Sequence, residues 1–78
     1  MPNMRVKREI LEVVENQVRD NNPPETRRTL ERLLAAGYAR QQALEMIGSV
    51  LVTEIWHILH NQEEFNPERY RAGLDALK

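Results

Sequence analysis

RQQALEMIGSVLVTEIWHILH, residues 40–60, is the stretch of sequence that decides the fold. Its apolar residues recur at three- and four-residue spacing, which predicts a helix about 30 Å long at 1.5 Å per residue. The apolar positions are Ala43, Leu44, Ile47, Val50, Leu51, Ile55, Ile58 and Leu59. Gly48 inside the stretch costs about 1 kcal/mol relative to alanine, so we expect a neighbouring helix to approach closely there.

Two shorter helices are predicted before this stretch, over residues 4–19 and 23–36. Asn22 is the expected N-cap of the second, and Glu25 stands where it would complete a capping box. Gly37 is well placed to end it in the left-handed conformation. The expected core residues of these two helices are Val6, Ile10, Val13, Val14, Val18, Leu30, Leu33 and Leu34.

A fourth helix is predicted over residues 67–77, with Asn66 as N-cap and Pro67 in the first position. Phe65 before the cap is placed to contact Tyr70 as a hydrophobic staple. The face that we expect to be buried carries Tyr70, Leu74 and Leu77. The fold class is therefore all-α, a compact four-helix array in a single domain over residues 1–78 with a long central third helix.

The composition excludes several classes of function. The 78 residues contain no cysteine, which rules out disulfides and thiolate zinc sites and fits a reducing, cytoplasmic location. Eleven basic residues against twelve acidic ones give a net charge of −1, so we expect no nucleic acid partner. No apolar run reaches the roughly 18 residues of a membrane span, so we expect no membrane partner either. We also find no catalytic constellation, and we expect a protein that is not an enzyme.

Two polar residues fall on apolar helix faces, Glu54 on the third helix and Gln17 on the first. A buried carboxylate costs several kcal/mol unless it is paired or protonated, so we expect Glu54 to be buried with a hydrogen-bond donor beside it. The candidate partners are Gln17, Asn61, Arg27 and Arg28. The arginines of the second helix, Arg27, Arg28 and Arg32, are expected to form a solvated mixed face.

His57 follows Glu54 by three residues, a spacing that puts both side chains on one helix face. Helical carboxylate-bridged metal sites use such a Glu-x-x-His pair from each of two helices. This chain has one such pair, so the alternative of a metal site needs further ligands, from a second copy or from elsewhere in the chain.

The whole chain resembles a small, uncharacterised family of bacterial helical domains. The resemblance lies in Glu15-Asn16-Gln17, Asn22-Pro23-Pro24-Glu25, Leu30-Glu31-Arg32-Leu33-Leu34, Gly37-Tyr38, Ile47-Gly48-Ser49-Val50-Leu51, Glu54-Ile55-Trp56 and Pro67-Glu68-Arg69-Tyr70. Relatives often carry His-Glu-Ala-x-His at the start of the long helix and two further histidines in the first helix, a set that resembles metal ligands. Here residues 41–45 read QQALE and the first-helix positions are Lys7 and Leu11, so Glu15 alone remains. The resemblance thus implies a member that has lost the site.

The leading functional prediction is a non-enzymatic protein-interaction module without a cofactor, which forms a symmetric homodimer through its first or third helix. A chain this short rarely gains more than about 3–5 kcal/mol from its own core, which favours a partner. The alternative, from a different class, is a helical metal-binding protein that uses Glu54, His57 and Glu15.

Overall fold

The structure, a computed structural model, describes residues 4–78, with side chains from residue 7 onward. It consists of four α-helices: α1, Met4–Asp20; α2, Pro24–Ala35; α3, Arg40–Asn61; and α4, Pro67–Asp75. No strand occurs among the described residues. The prediction of an all-α array with a long central third helix is confirmed, since α3 is the longest helix at 22 residues. The ends of the helices differ from the predicted ends by one or two residues.

The turn between α1 and α2 differs from the prediction. Asn21 ends α1 in the left-handed region at φ 50°, and the Asn22–Pro23 peptide bond is cis. The N-cap of α2 is Pro23, with no side-chain hydrogen bond, and Pro24 begins the helix. Asn22 as N-cap was wrong, because it lies two residues before the first helical residue. Glu25 forms an ion pair with Arg28.

The other helix boundaries follow the local sequence signals. Gly37 has φ 105°, which a residue with a side chain rarely adopts, and it separates α2 from α3. Asn66 caps α4, since its side-chain oxygen accepts a hydrogen bond from the backbone N–H of Arg69 at 3.1 Å. The rings of Phe65 and Tyr70 lie 5.6 Å apart, as the predicted staple requires.

Helix α3 packs against each of the other three helices, and α2 contacts α1 and α4 as well. The buried core residues are Val14, Leu30, Leu33, Ala43, Leu44, Ile47, Leu51, Tyr70 and Leu74. The expected close approach at Gly48 is confirmed, because a Cβ there would lie 3.2 Å from Cγ2 of Ile10 on α1. A second close approach joins α4 to α3, where a Cβ on Gly73 would lie 2.7 Å from Cγ1 of Val50.

Three apolar side chains that we expected in the core are instead exposed: Val13, Leu34 and Leu59. Each lies at the edge of its helix's apolar face, where no neighbouring helix covers it. Val6 lies outside the described side chains. Within residues 4–78 no helix combines the length and the apolar character needed to cross a bilayer.

Candidate functional site

Glu54 is buried, with 2% of its surface exposed. The guanidinium of Arg69 donates to both carboxylate oxygens, from Nε at 2.7 Å and from Nη2 at 2.8 Å. The backbone N–H of Asn66 donates a further hydrogen bond at 2.9 Å. Chiefly because of Arg69, the pKa of Glu54 lies below its ordinary value. The buried, satisfied carboxylate was therefore correctly predicted.

The partner of Glu54 was not predicted. None of the candidates named from the sequence donates to it, and the donor is Arg69 on α4, fifteen residues away. The remaining guanidinium nitrogen of Arg69, Nη1, donates a hydrogen bond to the carboxylate of Glu63 at 2.7 Å. This network fastens the start of α4 to the C-terminal half of α3, and it leaves neither oxygen of Glu54 without a protein donor.

Gln17 is the acceptor in a second group of polar contacts inside the fold. Its side-chain oxygen accepts from the hydroxyl of Thr26 at 2.8 Å and from the hydroxyl of Tyr70 at 2.9 Å. Burial of the ring raises the pKa of Tyr70. One amide thus joins α1, α2 and α4, which explains why a polar residue occupies the apolar face of α1.

The three candidate metal ligands do not form a cluster. Both oxygens of Glu15 bind the guanidinium of Arg40, at 2.7 and 2.9 Å, and Glu54 binds Arg69. His57 accepts at Nδ1 from the side-chain amide of Asn61 at 3.3 Å. No group of three metal-ligating side chains is found in the described part of the chain. A metal site would require both ion pairs to open, and the alternative stays a prediction that elemental analysis can test.

Two of the second-helix arginines bind the ends of other helices. Arg27 donates to the carbonyl of Val18 at 2.7 and 3.0 Å, at the C-terminus of α1. Arg32 donates to the carbonyls of Leu74 at 2.9 Å and Leu77 at 2.5 Å, at the C-terminus of α4. Cations are stabilising at this end of a helix, where carbonyls lack partners. The predicted solvated face is wrong for Arg27, which is half-buried, whereas Arg28 and Arg32 are exposed.

The most exposed large apolar side chains of α3 lie along one line of its C-terminal half. Val52, Trp56 and Leu59 follow each other at spacings of four and three residues, and 70% of Leu59 is exposed. We call these three residues the α3 stripe. The ring of Trp56 stacks on that of His60, with centroids 4.2 Å apart and 18° between their planes. The sequence predicts that Leu59 lies on the apolar face of the third helix. It does not indicate that no other helix packs against this part of the face.

An apolar depression between α1 and α3 continues the α3 stripe, because Val52 belongs to both. It has a volume of about 340 Å³ and is lined by Lys7, Ile10, Leu11, Glu45, Gly48, Ser49 and Val52. We call it the α1–α3 groove. The ammonium of Lys7 and the carboxylate of Glu45 form an ion pair at 2.8 Å within this lining. Stripe and groove together form one continuous surface.

No family model, no curated protein and no solved structure matches the chain. The resemblance to the bacterial helical family therefore stays a prediction.

Proposed function

We propose that the protein is a non-enzymatic protein-interaction module that self-associates as a symmetric homodimer. The observation that carries this proposal is the continuous apolar surface formed by the α3 stripe and the α1–α3 groove. Single exposed apolar residues are normal on a soluble protein, whereas a contiguous patch marks an interaction site.

The composition of the surface favours a protein partner. Tryptophan is enriched among the residues that dominate binding energy at protein interfaces, and Trp56 is about half exposed at the centre of the α3 stripe. The chain has no cysteine for disulfides, and small domains without such staples often gain stability by association. A second copy is a partner that is present whenever the chain is made.

The polar groups of the interior support a non-enzymatic function. Among the described residues, each buried side-chain nitrogen or oxygen has a hydrogen-bond partner within the protein. The buried carboxylate and the buried tyrosine are both bound by side chains of neighbouring helices. Their polar atoms are used to hold helices together. A cytoplasmic location is part of the proposal, and the absence of cysteine is compatible with it.

Sedimentation equilibrium at tens of micromolar tests the proposal. We expect the wild-type chain to dimerise, and Leu59→Glu to weaken the dimer at least about tenfold, because a charge would enter the apolar contact. Leu34→Glu is the matched control, since Leu34 is exposed on α2 and belongs to neither stripe nor groove. Far-UV circular dichroism checks that both variants fold. A wild-type chain that stays monomeric at these concentrations refutes the proposal.

A further inference from the structure

The residues along the exposed side of α3 have the spacing of a helix-pairing seam. Ser49, Val52, Trp56 and Leu59 are separated by three, four and three residues. This alternation keeps side chains on one line that faces a second helix, and each then inserts between residues of that helix. The surface thus fits a helix better than it fits a flat or extended partner.

Along this line of residues an exposed apolar side chain projects at one end, and an apolar recess lies at the other. Leu59 is the most exposed of the large apolar residues and lies near the C-terminus of α3. The α1–α3 groove lies at the level of Ser49, where Gly48 has no side chain and Ile10 and Leu11 supply an apolar wall. Leu59 and Ser49, which marks the level of the groove, are ten residues apart on α3, a distance of about 15 Å at 1.5 Å per residue.

From these features we infer that a second copy of this chain docks antiparallel along α3, so that Leu59 of each copy fills the α1–α3 groove of the other. The inference rests on the proposed self-association and specifies its geometry. A two-fold axis between Val52 and Trp56 sets Leu59 of one copy opposite Ser49 of the other. It also sets Val52 opposite Trp56. The contact is isologous, and both grooves are filled at once.

The charges at the ends of the seam favour the antiparallel over the parallel arrangement. The ammonium of Lys7 is held beside the α1–α3 groove by Glu45, and Arg8 lines the next depression along α1. Glu63, which is paired with Arg69, and Glu64 follow two and three residues after Asn61, the last residue of α3, and this helix end itself carries partial negative charge. Antiparallel docking brings this negative end of one copy to the Lys7–Glu45 ion pair of the other, whose two charges cancel. Parallel docking would set Glu63 and Glu64 against the same residues of the second copy.

The absence of cysteine allows the register to be tested by disulfide trapping. Ser49→Cys and Leu59→Cys are prepared as separate chains, mixed in equal amounts and oxidised. A disulfide requires Cα atoms about 4.4–6.8 Å apart. We expect a covalent dimer in the mixture and none from either chain alone, because in the antiparallel pair Ser49 lies about 15 Å along the axis from its own equivalent. Leu34→Cys mixed with Ser49→Cys is the negative control.

A second pair of cysteine variants is needed because Leu59→Cys removes the side chain that is proposed to fill the groove. Ser49→Cys mixed with His60→Cys keeps the α3 stripe intact, and it should also be trapped. Covalent dimer from Ser49→Cys alone would show parallel docking and overturn the inference. A reversible dimer in sedimentation without a trapped product from either mixed pair would overturn it too, while the proposed self-association would stand. A monomer in sedimentation would refute both.

Discussion

Removing Arg69 should destabilise the protein more than removing the charge of its partner Glu54. The reason is their unequal burial, since 2% of the Glu54 side chain is exposed against 30% of that of Arg69. In Arg69→Met the carboxylate keeps one donor, the backbone N–H of Asn66. Leaving Glu54 charged, buried and unpaired should cost about 3–5 kcal/mol of unfolding free energy.

The converse substitution should be milder. In Glu54→Gln the amide oxygen can still accept from the N–H of Asn66, while Arg69 keeps Glu63 and its contact with solvent. The loss is that of a charge-assisted hydrogen bond, about 1.5–3 kcal/mol at Glu54. Urea denaturation followed by far-UV circular dichroism measures both variants. The protein concentration must be held constant, because association would shift the apparent stability.

The pH dependence of the unfolding free energy separates the contribution of charge from that of packing. In the wild type the pKa of Glu54 is lowered, chiefly by Arg69, so the stabilisation is present above the unfolded value of about 4.3 and is lost as the pH falls through the folded value. In Arg69→Met the lowering cation is absent and burial disfavours the charged carboxylate. The difference in unfolding free energy between wild type and variant should therefore shrink as the pH falls from 7 towards about 4.

Glu63→Gln is the control for this prediction, because it removes a half-exposed partner of Arg69 and leaves the contact with Glu54. An exposed ion pair of this kind is worth about 0–1 kcal/mol. Equal losses for Arg69→Met and Glu54→Gln would refute the argument from burial. If the difference in unfolding free energy between wild type and Arg69→Met stays constant from pH 7 to about 4, the argument from charge is refuted.

Two further predictions concern the docking of α4. Leu74 is fully buried, so Leu74→Ala should cost about 2–5 kcal/mol and lower the thermal midpoint; an unchanged midpoint would show that α4 contributes little to the core. Gly73→Ala should fail to give the roughly 1 kcal/mol that alanine gains over glycine in a helix, because the added Cβ would lie 2.7 Å from Cγ1 of Val50. A thermal midpoint raised by that full amount would contradict the close contact of α4 with α3.

Part of the polar interior could be predicted from the sequence. Glu54 falls on the apolar face of its helix, and the cost of burying a charge requires a donor beside it. The identity of the donor could not be read, because four arginine and amide side chains satisfied the same requirement and nothing local distinguishes Arg69 from them. The same holds for Gln17, whose partners Thr26 and Tyr70 come from two other helices.

The sequence by itself determined where α2 ends and where α4 begins, because those signals act over a few residues. Gly37 takes a conformation that side chains disfavour, and Asn66 binds an N–H three residues ahead. The cap predicted at Asn22 failed because the helix begins at Pro24, one residue later than predicted, so that Pro23 occupies the cap position.

Only the tertiary structure decided which apolar residues stay exposed and which arginines bind helix ends. Periodicity places Leu51 and Leu59 on the same face of α3, yet Leu51 is buried and Leu59 is exposed. Leu59 lies at the edge of that face and Leu51 nearer its centre, but this difference alone does not say where the face ceases to be covered. What distinguishes them is which other helix lies across each turn, and that depends on the packing of residues far apart in the chain. The exposed surface of α3, on which the proposed function rests, is a product of that packing.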